Sequence, residues 1–356
     1  MSMKKILYLG PSGIGDWCFI YPSLPSLLTE YKADQLDLIL PYQNDGNALL
    51  KKNTLINSLR YLHRETRGFK LFRYLRHYYR LLRAIRQQRY ETVAISYLSN
   101  QPDMLLLAFL SGAKKRVAVR TSDNLLQKIV INHPVNIKGA ENRVAIHQRY
   151  ASQASPSTTL PPLVPIERQS HQAMLEKHPI QAPYIVLGIG GGRNADWRFW
   201  PAENFAALIK LNSAYQWILM GGGDDDQQQA QHIMMQSQGE NVINLVNQTS
   251  MEEACMLIAD AQAVIGNDSG IANLSALMKV PTLCLYGPTS SKLTGPALNG
   301  ATPVQSKLPC QPCFGEPNNP RIAIQCTHRN CLALLTSKQV YSALHDLLKA
   351  PNSRCH

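Results

Sequence analysis

The chain alternates short apolar runs with longer stretches in which apolar residues recur every three or four positions. In the first half, runs at Ile6–Leu9, Leu36–Leu40 and Thr92–Ser96 predict buried β-strands. The second half is more regular, with strands predicted at Tyr184–Ile189, Trp217–Met220, Val242–Leu245, Ala263–Ile265 and Thr282–Tyr286. The helical period falls between them, near 22–31, 70–88 and 103–111, then near 202–213, 226–237, 250–258 and 269–278. This alternation predicts an α/β fold with parallel, doubly wound sheets and ligands at the carboxyl ends of the strands. Between the halves runs a loose stretch, Ser152 to Pro183, rich in Ser, Pro and Gln, with one helix expected around 168–177. The expected domains are therefore 1–165 and 184–335, with a linker at 166–183 and a C-terminal helix in 336–356 that packs back on the N-terminal domain.

Composition narrows the class. With 356 residues and 45% hydrophobic content, each half is large enough to bury its own core. No apolar run approaches the roughly 18–20 residues of a membrane span. The apolar run at the N-terminus is too short for a signal peptide and leads straight into a glycine turn, so a cytoplasmic location is expected.

Charge adds a second feature. Ten basic residues and a single acid lie between Arg60 and Arg89, three quarters of the net +12 of the whole chain. At 100° per residue, Leu71, Leu75, Tyr78, Leu82 and Ile85 share one helix face and are expected to be buried. Lys70, Arg73, Arg76, Arg80 and Arg83 lie on the other. Such a face suits an anionic acceptor or membrane surface, a plain solvated exterior, or a nucleic acid.

Four turns fall where strand ends are predicted. Ser12, Gly13 and Asp16 follow the first strand; Asp16 is either a helix cap or a general base facing an interdomain cleft. Gly190, Arg193 and Arg198 belong to a glycine turn ahead of a helix opened by Pro201, and arginine offers phosphoryl oxygens a planar, permanently charged fork. Asp224, Asp225 and Asp226 follow a Gly-Gly-Gly turn, either as caps or as acceptors for ribose hydroxyls. Asp268, Ser269 and Gly270 sit at a predicted helix N-terminus, where unpaired N–H groups and the helix dipole favour an anion; an ordinary cap is the alternative.

Taken in order, these turns resemble glycosyltransferase family 9, the ADP-heptose:lipopolysaccharide heptosyltransferases. The resemblance is carried by Ser12-Gly-Ile-Gly-Asp16, Tyr21-Pro22, Arg198-Phe-Trp-Pro201, Glu203-Asn-Phe-Ala206, Asn267-Asp-Ser-Gly270 and Tyr286-Gly-Pro-Thr289, with Ser111-Gly-Ala-Lys-Lys-Arg116 between them. It implies a GT-B architecture, two Rossmann-like domains facing across a cleft, and inverting transfer that needs no metal or other cofactor. By position, Asp16 corresponds to the base and Arg198 to the basic residue, commonly Lys, that meets the leaving diphosphate. Asp268, Ser269 and Gly270 match the phosphate turn, while Asp224 and Thr249 fall near the nucleoside. Three positions depart from the family pattern. Asn273 stands where the family usually has His, Arg198 replaces Lys, and Ser96-Tyr-Leu-Ser-Asn100 replaces Asp-x-Gln-Gly.

The implied partners are a nucleotide-sugar donor, ADP-heptose first, and an anionic lipopolysaccharide core acceptor, at or near the inner face of the inner membrane. Transfer or epimerisation of another nucleotide sugar is the enzymatic alternative, and a nucleic-acid-binding module around residues 60–89 the non-enzymatic one. Near the C-terminus, Cys310-x2-Cys313-x12-Cys326-x4-Cys331 has spacing compatible with structural zinc, with reduced thiols as the alternative.

Overall fold

The computed structural model describes residues 4–62, 69–137, 141–151, 168–178, 180–192, 196–238, 241–295, 301–314 and 325–349. Its contacts divide the chain into two units, residues 1–165 and 166–356.

The first unit holds six parallel strands: β1 Lys5–Leu9, β2 Gln35–Leu40, β3 Ile56–Tyr61, β4 Thr92–Ile95, β5 Lys115–Val119 and β6 His133–Val135. Their order is β3-β2-β1-β4-β5-β6. The second unit repeats this plan with β7 Tyr184–Gly188, β8 Gln216–Met220, β9 Val242–Asn244, β10 Ala263–Asn267, β11 Thr282–Tyr286 and β12 Ala301–Gln305, in the order β12-β11-β10-β7-β8-β9. In each sheet the connections reverse direction once, between β1 and β4 and between β7 and β10. A crevice opens beyond the strand ends at such a reversal, which is where doubly wound folds bind ligands.

The central strands β7, β10 and β11 are buried along their whole length, so their sequences are apolar except at Thr282 and Asn267 and are legible as strands. The strands that pattern alone misses lie mostly at the margins. β6 and β12 are edge strands containing Pro134 and Pro303, which an edge tolerates because proline has no N–H to donate and one side of an edge strand has no ladder to fill. β3 is the opposite edge of its sheet, and β5 opens with Lys115 and Arg116 before its buried Val117–Val119 half.

The C-terminal helix, Ser337–Lys349, buries Val340 and Leu344 in the core of the second unit, against the Ala202–Leu211 helix and β11. Its apolar stripe matches that core and leaves its polar face outside. The stretch expected as linker contains the Arg168–Lys177 helix, which belongs to the second unit, with Met174 buried and Lys177 Nζ 2.8 Å from Glu253 Oε1.

Candidate active site

In the first unit, the turn after β1 leads into the Ile14–Ile20 helix and places Asp16 in its first turn. The carboxylate folds back over Gly13, where a Cβ would stand 2.9 Å from Asp16 Oδ2. Glycine at position 13 leaves room for that approach. Arg143 Nη1 lies 3.5 Å from Asp16 Oδ1, and the Arg143 guanidinium rests over the Phe19 ring at 5.6 Å. Asp16 and Arg143 both remain partly exposed, as a group that meets substrate must. Ser12 instead braces the turn. It is buried, its Oγ donates to Tyr42 O at 2.8 Å, and it accepts from Tyr42 N at 3.1 Å.

The second unit brings three turns together at its sheet reversal. Asn267, the last residue of β10, is fully buried. Its Nδ2 donates to Ile189 O at 2.8 Å and to Gly190 O at 3.3 Å, while its Oδ1 accepts from Trp200 N at 3.1 Å. One amide thus ties the β10 turn to the glycine turn after β7 and to the segment carrying Arg198. Trp200 is the anchor of that segment. Its Nε1 donates to Leu335 O at 2.7 Å, its carbonyl accepts from Gln229 Nε2 at 2.7 Å, and its ring meets Phe205 edge-on at 4.6 Å.

Arg198 packs beside a pair of touching aromatic rings, its guanidinium 4.5 Å from the Trp197 centroid and 5.2 Å from that of Phe314. Its Nη1 donates to Asp268 O at 3.3 Å, which places the cation at the start of the Gly270–Leu277 helix. Ser269 is the N-cap of that helix, and its buried Oγ has no hydrogen-bond partner. A buried hydroxyl without a partner at a helix N-terminus, beside a cation, marks a place for an anionic ligand. Asp268 faces the other way: its Oδ2 accepts from Thr294 Oγ1 at 3.0 Å, and the Thr294 carbonyl accepts from Tyr286 OH at 3.1 Å. The Asp-Ser-Gly and Tyr-Gly-Pro-Thr motifs are therefore one hydrogen-bonded structure. Asn273 lies one turn into the helix, half-buried, and its N–H donates to Ser269 O.

The glycine turns after β7 and β8 close on Asp226, the last carboxylate of the Asp224–Asp226 run, rather than on Asp224. Asp224 is exposed. Asp226 is buried and accepts from Gly222 N at 2.8 Å; a Cβ on Gly190 or Gly221 would come within 2.1 or 2.6 Å of its Oδ2. Burial pushes this carboxyl up, although the Gly222 N–H draws it back. The signal is present in the sequence, because Asp226, Ala230, Ile233 and Ser237 share the buried helix face. Thr249 precedes the Ser250–Glu253 capping box of the next helix and is half-buried. Arg193 lies outside the described residues.

Cys310, Cys313, Cys326 and Cys331 are free thiols. Burial raises Cys331 to about 11, with Cys313, Cys326 and Cys310 adding to the shift. Among the described residues no group of three or more His, Cys, Asp or Glu side chains is arranged to hold a metal ion. Zinc thus rests on spacing alone. The loop also buttresses the site, because Cys313 N and Phe314 N both donate to Pro288 O at 2.9 Å, which carries Phe314 onto Arg198.

On the basic helix, Phe69–Gln88, the buried face differs from the expected one. Leu81 and Ile85 are buried and Tyr74, Tyr78 and Leu82 pack beside them, but Leu71 and Leu75 are exposed. The stripe that meets the sheet is turned toward the tyrosines, whose hydroxyls reach Asp103: Tyr78 OH donates to its carbonyl at 3.1 Å. Arg73, Arg76, Arg80 and Arg83 are exposed; the Lys70 side chain is outside the described set.

Two Rossmann-type sheets, one of them ending at an arginine beside a helix N-terminus, define the GT-B class of nucleotide-sugar enzymes. Within that class the chain belongs to glycosyltransferase family 9 (heptosyltransferase), whose profile matches residues 78–322. It is 26% identical over 317 residues to lipooligosaccharide heptosyltransferase 2 of Haemophilus influenzae, covering 84% of this chain and 87% of that protein. A match to the same-named protein of Campylobacter jejuni is 30% identical over 169 residues and spans about half of each, 46% of this chain and 51% of the relative. The fold is similar to the solved Escherichia coli ADP-heptose lps heptosyltransferase II, with a TM-score of 0.73 at 21% identity, covering 97% of this chain and 98% of that one.

Proposed function

We propose that this chain transfers heptose from ADP-heptose to a lipopolysaccharide core acceptor with inversion, working peripherally at the cytoplasmic face of the inner membrane. The observation that carries the donor half is Arg198, packed against Trp197 and Phe314 and bonded to Asp268 O, next in sequence to the unpartnered Ser269 hydroxyl. In the reaction an acceptor hydroxyl oxygen forms a bond to the anomeric carbon as the bond from that carbon to the diphosphate oxygen breaks. The hydroxyl proton passes to Asp16, and the electron pair leaves on ADP. Negative charge grows on the diphosphate during this step, so a fixed cation and a helix N-terminus stabilise the transition state more than the ground state. The names of the relatives and the family profile support the sugar and the acceptor.

The test is Asp16→Ala. Loss of a general base costs about 10²–10⁴-fold in turnover and leaves ADP binding intact, because the base acts on chemistry rather than on donor affinity. An Asp16→Ala protein that transfers sugar at the wild-type rate would remove Asp16 from the mechanism. The donor is identified by thermal shift against ADP-, UDP- and GDP-heptose or hexose: a ligand at a hundredfold excess over its Kd stabilises by about 2.7 kcal/mol. Epimerase chemistry is separated from transfer by its independence of any acceptor.

A further inference from the structure

The Phe69–Gln88 helix carries two apolar stripes, and the sheet covers one of them. The second consists of Leu71, Leu75 and Tyr79, spaced four residues apart, with Phe72 beside them. These side chains are 47%, 55%, 65% and 71% exposed, respectively. Arg76, Arg83 and Arg86 border this stripe, and Arg73 and Arg80 continue around the helix; all five are exposed. At the C-terminal end of the helix a shallow depression of about 510 Å³ is lined by Tyr79, Arg83, Arg86 and Arg89. A second, of about 480 Å³, shares Arg86 and Arg89 and adds Lys114.

We infer that this face docks the protein on an anionic phospholipid surface, with Phe72, Leu75 and Tyr79 entering the interface and Arg83, Arg86, Arg89 and Lys114 meeting lipid phosphates. Charge selects the occupant. A second copy would bring the same arginines together, so self-association through this face is opposed by like charge. Exposed aliphatic residues next to arginines match a headgroup layer over acyl chains, whereas a nucleic acid presents phosphates and no aliphatic surface. None of the described helices is long and apolar enough to cross a membrane, so the contact is an interfacial one. The inference meets the proposed function at one point only, in bringing the enzyme to the leaflet that holds a lipid-linked acceptor.

The experiment is co-sedimentation of the full chain with vesicles of phosphatidylcholine alone and of phosphatidylcholine with about 30 mol% phosphatidylglycerol. We expect binding to the anionic vesicles only, falling steeply at about 0.5 M salt as the charges are screened. The double variant Phe72→Ser/Leu75→Ser removes two exposed apolar side chains and no charge. It should bind anionic vesicles at least about tenfold more weakly, since burying one such side chain is itself worth roughly a factor of ten. Its rate on a delipidated, water-soluble acceptor should equal that of the wild type, and an unchanged circular dichroism melt verifies its fold. Equal binding to neutral vesicles, or unchanged vesicle binding by the double variant, overturns the inference. So does a dimer in light scattering that Phe72→Ser/Leu75→Ser dissociates, which would make this face a copy-to-copy interface. Binding to nucleic acid but not to vesicles overturns it in favour of the nucleic-acid reading. Vesicle binding without sugar transfer would leave this inference standing and sink the proposed function instead.

Discussion

Replacing Asn267 with Ala should damage stability and donor binding together. The side chain is fully buried and makes hydrogen bonds of 2.8 and 3.3 Å to the Ile189 and Gly190 carbonyls and of 3.1 Å from the Trp200 N–H. Alanine leaves at least one buried acceptor and one buried donor unsatisfied, at about 1–3 kcal/mol each, so the loss is about 2–6 kcal/mol. Against a typical total stability of roughly 5–15 kcal/mol this is large. Asn267→Asp should be worse at neutral pH, because a carboxylate would face two carbonyl oxygens with nothing to donate. Burial opposite those oxygens favours the protonated acid in the folded state, so its folded pKa is raised above the unfolded value. The Asp variant should therefore be most stable in acid and lose stability as pH rises through that folded pKa. Urea unfolding across pH reads this directly, and calorimetric titration with ADP reads the site. An Asn267→Ala protein within about 1 kcal/mol of wild type and with unchanged ADP affinity would refute the claim that this amide holds the three turns in place.

Two further predictions concern separate parts of the chain. Burial, with Arg143 adding, pushes the His147 imidazole down to about 3, so it is neutral in the folded protein. A depressed histidine contributes stability that is present above the unfolded pKa of about 6.5 and is lost as pH falls toward 3, at about 1.4 kcal/mol per pH unit. Hydrogen exchange of the β1 and β4 amides between those pH values should show this slope, and His147→Gln should flatten it; an unchanged slope would assign the acid sensitivity to other groups. Phe314→Ala removes one of the two rings holding Arg198 and should lower kcat about 2- to 30-fold while shifting the ADP Kd less, from a cation–π contribution of about 0.5–2 kcal/mol. A raised ADP Kd with kcat unchanged would mean that the ring serves binding alone.

How much of this is legible in the sequence depends on burial. β7, β10 and β11 are buried along their whole length, so apart from Thr282 and the terminal Asn267 their positions are apolar and the strands are visible without neighbours. β12 owes its existence to β11 alone, and its mixed, mostly exposed composition carries no period. The turns are legible because glycine, Asp and Ser at strand ends have few reasons to be there. What those residues touch is not. Asn267 reads as a turn residue, yet its amide faces inward and joins segments 67 and 77 positions away. The basic helix shows the converse error. Its period correctly gives an amphipathic helix, but two adjacent apolar stripes satisfy one period, and only the packing on Asp103 and the sheet decides which is covered.

The departure of Arg198 from the usual Lys becomes intelligible from the same packing. A lysine ammonium is a compact, strongly hydrated charge that gains little from flanking rings, whereas a guanidinium is planar, weakly hydrated and stacks. Trp197 and Phe314 lie 4.6 Å apart between centroids and both contact Arg198, so the ring pair and the arginine form one unit. Phe314 reaches that position because Pro288 O accepts from both Cys313 N and Phe314 N, and Gln311 Nε2 donates to Gly287 O at 2.8 Å. The Tyr-Gly-Pro-Thr turn therefore acts on the proposed diphosphate site twice. Through Tyr286 and Thr294 it orients Asp268, and through Pro288 it holds the ring that orients Arg198. This also gives the cysteine loop a role that requires no ion. Cys313 packs with Trp197 and Phe314 as part of the support beneath the cation, and a change anywhere along that path is felt at Arg198.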